Sequence, residues 1–540
     1  MPACDSNHRR RVTLVTAGTY RTVENCARSL HLLVTAGTDN ALQGLAGGKM
    51  AANRVNARFV LVSILISTVL VTLLGLAPRG QAIPAFSRKY QTSCTTCHSN
   101  FPELNDFGEA FKKNGFKFPK DDETFVKQEP VLLGSKAQKE AFPDAVYPGE
   151  IPGTLPIAFR YSGTFAVNAS QPSGVNQNSS FIPRTDIFQP NTFTIISAGS
   201  FGQNLSFWID NDISTGGSGA AGGLGDGYLK YNDLGRFFHL PLNSLNVRFG
   251  QFELDLPFTQ ARSIYLSDYD VYDQVSVAGG AGTTNNPFAL GTPQRAIEFG
   301  GYPNNGNFAW SVAITNGGND GPALRGNKDV YLRASYKFNL ERDPESRHAI
   351  QAAGPTGPRD HTSIRVGGFY YRGRNVQNIG PAPDTQIPFP GLGSFSEPFY
   401  RAGGDLRFKY RHLEFFALGM FGHDDNHTVV TDEATGAQTL LKAPAVTYTG
   451  GFAGTNYWFY PWLIGTMRYD FVNSPTDFFN GVSKDRTRNR FSPGFQILVR
   501  ANIKILGEYS YTWESPVTNV SGNTVFYRPN TFLTGIDYVF

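Results

Sequence analysis

Four cysteines occur in the 540 residues, at Cys4, Cys26, Cys94 and Cys97. The last two are followed directly by a histidine, giving Cys94-Thr-Thr-Cys97-His98. C-x-x-C-H is the attachment signature of c-type haem. On one turn of helix, positions i, i+3 and i+4 share a face. Both thiols then reach the two vinyl groups of one porphyrin, and His98 offers its imidazole to the iron. Two other chemistries use paired cysteines. A zinc site needs four ligands, and no third cysteine follows Cys97. A thioredoxin-type disulfide needs a βαβ context, which the flanking sequence lacks.

The motif must be held by its neighbours. Phe101-Pro-Glu-Leu-Asn-Asp-Phe-Gly-Glu-Ala-Phe-Lys-Lys-Asn-Gly-Phe116 reads as a short helix with its flanks. Asn105 or Asp106 supplies the N-cap, with Glu109 three residues beyond Asp106 closing a capping box. Lys112 and Lys113 fall in the last turn, and Gly115 suits the left-handed position after it. Phe107, Ala110 and Phe111 share one face, so Phe107 and Phe111 are expected to wall the haem or fill the core of a very small domain. The sixth iron ligand is not legible. No second His and no Met lies between Ile83 and Glu150. Later candidates are Met420, Met467 and His239, His348, His361, His412, His423 and His427, each individually better read as a surface or lumen residue. A five-coordinate or water-ligated iron, or a nearby Lys or Asn, are the alternatives.

Upstream of the motif lies one long apolar run, Phe59–Ala77, nineteen residues without a charge. Arg54 and Arg58 precede it, and Gly80 and Ala82 follow as small residues suited to cleavage. This is the anatomy of a secretory signal, with an uncleaved anchor as the rival. Met50 stands just before the basic segment. Residues 1–49 carry a near-duplicate, Leu14–Thr19 and Leu33–Thr38, and read as a gene-model extension or a disordered leader. The expected organisation is therefore leader 1–49, signal 50–82, haem segment 83–150 and a β domain 151–540.

From Leu155 the pattern becomes period two, with Leu155, Ile157, Phe159, Tyr161, Phe165 and Val167 on one face. Alternation over ten or more residues exceeds the usual soluble strand and suits a tilted membrane-spanning strand of about 9–11 residues. The pattern predicts strands at 155–168, 190–201, 203–214, 225–234, 244–255, 294–302, 308–316, 328–339, 362–373, 399–410, 412–423, 445–458, 461–473, 487–499, 501–515 and 527–540. Sixteen is an even number, as single-chain bacterial barrels have. Connections alternate between short (Gly202, Pro303–Asn307, Arg411, Tyr460, Arg500) and long (169–189, 256–293, 374–398, 424–444). Short turns belong on the periplasmic side, which puts the haem segment there too, at the mouth of the barrel or inside it. The connection 340–361 is long where a short turn is due, and marks the place where the strand count is expected to fail. Phe532, Thr534, Ile536, Tyr538 and Phe540 share a face of the last strand. Phe415–Phe416 and the Tyr457–Trp462 cluster suit interfacial aromatic girdles.

Composition agrees with an all-β transmembrane barrel of about sixteen antiparallel strands carrying a small N-terminal α-helical c-type haem plug. Only 17% of residues are charged and 13% are aromatic, with 58 Gly and 33 Pro. Average soluble domains carry roughly 25% charge. A mean hydropathy of −0.27 excludes a bundle of apolar membrane helices. A net charge of +4 is too weak a bias to imply nucleic acid.

The run Pro84-Ala-Phe-Ser-Arg-Lys-Tyr90, the Cys94–His98 motif and the segment 101–116 resemble the head of the fused monohaem cytochrome–porins of bacterial outer membranes. Their best-known members are the outer-membrane iron(II) oxidases. The likeness is specific over about 35 residues and elsewhere extends only to architecture. It implies that Cys94 and Cys97 hold one haem c, that His98 ligates its iron, that extracellular Fe(II) is the donor, and that a periplasmic cytochrome or other small carrier accepts. An iron(II):cytochrome c oxidoreductase of this kind needs no general acid, base or nucleophile, and no triad or carboxylate dyad stands out. Asp268, Asp270, Asp273, Asp424 and Asp425 fall in expected outer loops, where they attract a cation or are simply solvated. Two further functions are open: a porin-type channel in which the haem segment is a plug or sensor, and a small-molecule haem enzyme with an open distal site.

Overall fold

The computed structural model describes residues 85–118 and most of the chain from Asp122 to Phe540. Residues 1–84, the connections 169–184, 214–222, 319–327, 341–361 and 380–392, and some shorter stretches lie outside the described residues, and with them the expected leader and signal.

Sixteen strands form one closed antiparallel barrel: β1 (Ile157–Asn168), β2 (Thr185–Phe201), β3 (Leu205–Asp212), β4 (Leu224–Tyr231), β5 (Asn246–Phe252), β6 (Gln294–Gly301), β7 (Phe308–Thr315), β8 (Asp329–Asn339), β9 (Ser363–Ile379), β10 (Gly393–Tyr410), β11 (Leu413–Thr431), β12 (Gln438–Tyr460), β13 (Leu463–Phe479), β14 (Val482–Arg500), β15 (Ile503–Glu514) and β16 (Thr531–Val539). Each pairs with its sequence neighbours. β16 returns to β1, Thr531 opposite Asn168 and Val539 opposite Arg160, so no edge is left open. The long connection at 340–361 does not disturb the count: Asn339 lies opposite Ser363, and β8 and β9 pair without a shift.

Period two explains the two surfaces. On β13, Ile464, Arg468 and Asp470 are wholly buried, whereas Met467 and Tyr469 between them are 47% and 40% exposed. The lumen face is polar and charged, and the outer face is apolar, which only a bilayer solvates well. Tyr457, Phe459, Tyr460 and Trp462 project outward around the β12–β13 turn as a girdle. Two expected girdle residues do not. Phe416 and Trp458 point inward, because their neighbours Phe415 and Tyr457 already take the outward positions of the alternation. The last strand behaves as expected, with Phe532 outward and Asp537 and Val539 inward.

The connection between β5 and β6 overturns an expectation. It is not an outer loop. It folds into the lumen, where Leu254, Leu256, Tyr265, Tyr269, Val271, Tyr272, Phe288 and Leu290 form the largest apolar cluster with inward side chains of β7 to β13. Hydrogen bonds pin it: Tyr265 donates to Asn456 Oδ1 at 2.9 Å, Leu266 N–H to Glu508 at 2.7 Å, and Tyr331 to the Asp255 carbonyl at 2.9 Å. A two-residue strand at Val277 even pairs with Asp477 of β13.

Residues 85–118 make contacts with inward-facing side chains of the barrel wall. They comprise α1 (Ala85–Tyr90), a 3-10 turn (Cys94–Thr96), a bridge between His98–Asn100 and Glu103–Leu104, and α2 (Asp106–Lys113). Arg365 of β9 grips Glu109 with two hydrogen bonds, at 3.0 and 2.5 Å. Lys337 pairs with Asp106 at 2.5 Å, and Arg407 with Glu103. Lys504 donates to the Phe101 carbonyl and Asn100 to Gln496. Arg407 and Lys504 sit within a few positions of the short turns Arg411–His412 and Ala501–Asn502, and Lys337 and Arg365 flank the connection 340–361.

Candidate functional site

The Cys94–Thr96 turn is 3-10, and its Cys97 N–H bonds back to the Cys94 carbonyl at 3.2 Å. Residues three apart eclipse on such a turn, so both sulfurs leave from one side. The thiols are free. The expected continuous helical face is corrected at one residue: His98 has left the turn for the extended bridge. Its orientation is then set by backbone rather than by helix. Nδ1 lies 3.2 Å from the Pro102 carbonyl and 3.3 Å from that of Glu103. With those acceptors the Nδ1 site carries the proton and Nε2 keeps its lone pair, the arrangement of a metal-ligating histidine with its outer partner. Burial pushes the His98 imidazolium down to about 4, which keeps the ring neutral. Burial, and then the neighbouring Cys94, pushes the Cys97 thiol up to about 12, and Cys94 is raised by burial too.

Helix α2 is fastened onto this turn. Its N-cap is Asn105, whose Oδ1 accepts from Gly108 N–H at 2.8 Å. The same side chain donates to the Thr95 and Thr96 carbonyls at 3.3 and 3.1 Å, and Asn105 N–H donates to Cys97 O at 3.0 Å. One residue thus caps the helix and binds the motif. The expected capping box from Asp106 is not used: Glu109 turns to Arg365, where a charged partner outbids a backbone N–H. Gly108 lies against the motif so closely that a Cβ would stand 2.0 Å from the Cys97 carbonyl oxygen. After the helix, Gly115 has a φ of 70° and continues the chain to Phe116 in the left-handed conformation expected of it.

The two faces of α2 have different neighbours. Phe107 and Phe111 join Phe86, Tyr90, Phe116 and Phe118 in a cluster of rings with centroids 4.3 to 6.2 Å apart. Trp208 of β3 completes it from the wall, 5.7 Å from Phe116. Glu109, Lys112 and Lys113 on the other face line a chamber bordered by residues 103–116, the inward connection and strands of the wall. Burial favours the neutral form of Glu109, but Arg365 and Lys113 outweigh it and hold the carboxyl well below its ordinary value. Asp106 is brought down to about 2 against its own burial, chiefly by Lys337. In Glu103 burial wins, helped by Glu414, and the carboxyl rises to about 8.

The residues fit a covalent haem c. Two thiols leave one side of a turn, one neutral imidazole has its distal nitrogen uncommitted, and aromatic rings lie beside them. Cys94, Cys97 and His98 would hold the group, with Phe107 and Phe111 in the apolar cluster next to the motif.

The remaining sequence candidates are dispersed. His239 caps a turn after β4 and His412 sits in the β10–β11 turn, both exposed. His423 contacts Asp425 at 3.2 Å and His427 contacts Glu397 at 2.9 Å. Met420 is buried in the inward cluster and Met467 faces outward. His348 and His361 lie outside the described residues. Asp270 and Asp424 are not solvated outer-loop charge, since Asp270 is buried against Arg490 at 3.2 Å and Asp424 against Arg401 at 2.7 Å. Asp268 is exposed and offers its backbone carbonyl to Arg468 at 2.7 Å, and Asp425 is partly exposed beside His423. Of the Asp273 side chain nothing is described. Among the described residues no cluster of three His, Cys, Asp or Glu could hold a metal ion. Sequence reasoning named Asn105 only as a candidate cap, not as the residue that binds the motif, and missed Gly108, Lys230 and Tyr302. Only the spacing of Asn105 three residues before a glycine offered a signal.

The even, closed strand count, the apolar outer face and the girdle define a porin-like outer-membrane β-barrel. No protein-family model matches the chain, and no curated protein matches it in sequence. Solved barrels that superpose include an anion-selective porin from Comamonas acidovorans (9% identity, 71% of this chain and 98% of that one, TM-score 0.41). Others are the channel DcaP of Acinetobacter baumannii (12%, 71% and 96%, 0.40) and a loop-deletion form of OmpT from Vibrio cholerae (10%, 71% and 98%, 0.39).

Proposed function

We propose that the chain carries single electrons across the outer membrane through one haem c, bound covalently by Cys94 and Cys97 and ligated by His98. The donor in this reading is extracellular Fe(II), or another extracellular reductant, and the acceptor is a periplasmic cytochrome or other small carrier. The observation that supports it is the juxtaposition of a C-x-x-C-H turn, whose histidine has Nδ1 tied to backbone, with the lumen of a closed barrel. A bilayer blocks electrons over its roughly 30 Å of hydrocarbon, and a redox group inside a protein cylinder shortens the gap.

When bound, haem c supplies a one-electron couple that asks for no bond change in its partners. The chain's residues do the rest. The Pro102 and Glu103 carbonyls hold the His98 ring in one tautomer and orientation. The ring cluster around Phe111 excludes water beside the motif. Helix α2, roughly 10–12 Å across with its side chains, carries Phe107 and Phe111 into that cluster and Glu109, Lys112 and Lys113 to the chamber, and Phe116 borders both. Arg365, Lys337 and Arg407 hold the plug in the lumen, so that a path for charge need not be an open path for ions.

The test uses the purified full-length protein in sealed vesicles, with Cys94→Ala/Cys97→Ala as control. The expected result is a positive pyridine haemochrome assay for covalent haem, lost in the control, and reduction of that haem by Fe(II) confined to the outer face. A blank haemochrome assay sinks the proposal. Solute efflux without haem reduction transfers the case to a plugged channel, and peroxide turnover transfers it to a haem enzyme.

A further inference from the structure

The chamber between α2 and the inward connection has an unbalanced lining. Seven basic and five acidic side chains face it. The arginines take up all five acids: Arg248 with Glu298 at 2.7 Å, Arg333 with Asp255 at 3.9 Å and with Asp405 behind the lining at 2.7 Å, Arg365 with Glu109, and Arg407 with both Glu103 and Glu414. The surplus falls on lysines. Lys230 of β4 is only 9% exposed, yet among the described residues its ammonium makes one hydrogen bond, 3.1 Å to the Lys113 carbonyl. No carboxylate lies within ion-pair distance of it among the described residues. Lys113 is 3.7 Å from Glu109, a carboxylate already gripped by Arg365. The two ammonium groups stand over one ring, that of Tyr302, at 5.1 and 5.2 Å from its centroid.

Like charges gathered at a buried site are costly unless counter-charge or hydrogen bonds offset them. The C-terminal end of α2 accounts for Lys112 and Lys113, since cations belong there. It does not account for Lys230, which comes from the wall, nine-tenths buried, and still has N–H donors to spare.

We propose that this chamber is a binding site for a small multivalent oxyanion, a polycarboxylate or phosphate, held by Lys230 and Lys113 above Tyr302. Two sources supply that chemistry: the free anion, or the ligand shell of a chelated iron(II) ion. The second rests on the electron-transfer reading and gives it a substrate class. The reductant admitted is then an anionic iron(II) complex, which loses one electron and leaves as the iron(III) complex with its ligands unchanged. A bare Fe(II) cation would be repelled by the same lining.

Isothermal titration of the full-length haem-loaded protein with citrate and with inorganic phosphate tests the site. Wild type should bind, Lys230→Gln should bind at least tenfold more weakly, and Lys230→Arg should recover most of the affinity. Raising the salt concentration should weaken binding to wild type more than to Lys230→Gln. Heat-modifiable migration on gels confirms that each variant is a folded barrel, and Tyr302→Leu gives a second, independent weakening. No binding to wild type, or equal binding by wild type and Lys230→Gln, overturns the site. Stopped-flow haem reduction then separates the sources. Faster reduction by iron(II)–citrate than by aquo Fe(II), with the advantage lost in Lys230→Gln, assigns the chelate. Equal reduction by both overturns the chelate and leaves the free anion as ligand. Anion binding with no reduction by either donor condemns the electron-transfer reading and leaves the anion site standing.

Discussion

Two aromatic clusters sit in one lumen and were built by opposite routes. The plug cluster draws Phe86, Tyr90, Phe107, Phe111, Phe116 and Phe118 from 33 consecutive residues, and borrows little more than Trp208 from the wall. The inward cluster joins Tyr265, Tyr269 and Tyr272 to Phe416 and Phe452, residues 144 to 187 positions further along the chain than Tyr265, Tyr269 and Tyr272. Local rings can be brought together by one helix and one turn. Distant ones meet only after the barrel has closed, because the closure entropy of the long loops must first be met by the strand ladder. The plug is accordingly a small unit clipped in place by ion pairs, and the inward connection is an integral part of the barrel core.

Three substitutions probe that difference, in decreasing order of effect. Phe452→Ala removes a buried ring that packs on Tyr269 at 4.4 Å and on Phe258 at 5.7 Å. It should cost about 3–5 kcal/mol, expose the 253–293 connection to protease, and raise the conductance of the barrel without releasing the plug. Cleavage in 85–118 instead would show that the two clusters are one unit. Gly108→Val sets a side chain against the Cys97 carbonyl, a backbone atom that cannot step aside. At about 3 kcal/mol, the upper end of ordinary overpacking, it should separate α2 from the motif and abolish covalent haem staining. Heat-modifiable migration should stay unchanged, and a simultaneous loss of barrel migration would contradict the independence of the plug.

Glu109→Gln should do least, about 1–3 kcal/mol, as expected for hydrogen bonds to a charged group, because the pair with Arg365 is still about a fifth exposed. The sign of the accompanying pH effect follows from a depressed carboxyl. Its contribution is complete above the ordinary value of 4.5 and fades as pH falls below 4.5 toward the lower folded value. Protease protection of residues 85–118, followed from pH 7 to pH 3, should therefore decline below 4.5 in wild type. In Glu109→Gln that part of the decline should be missing. A loss that begins near neutrality would place the controlling group elsewhere.

The barrel was legible because its signal repeats. Sixteen runs of alternating residues each state inside and outside, and every predicted strand overlaps an observed one. The expected failure at 340–361 did not occur, since a strand's identity depends on its own alternation and not on the length of the loop before it. Boundaries were less legible on the long-loop side. β12 runs to 23 residues against 14 predicted, because ladder pairing continues beyond the membrane where no apolar face is needed to mark it. The Cys94, Cys97 and His98 motif was legible as well, being contiguous.

The sequence by itself determined what contiguous residues can state: the period of each strand, the parity of their number, the spacing of two thiols and an imidazole. Which acids are solvated, where the 253–293 segment goes, and which lysines share a ring were decided only in the tertiary structure. Asp270 and Asp424 looked like loop charge until Arg490 and Arg401 arrived from other strands. Lys230 and Tyr302 looked ordinary until closure of the barrel set them beside Lys113. The physical reason is that electrostatics and packing act through space, over a few ångströms, between residues that the chain separates by tens to hundreds of positions.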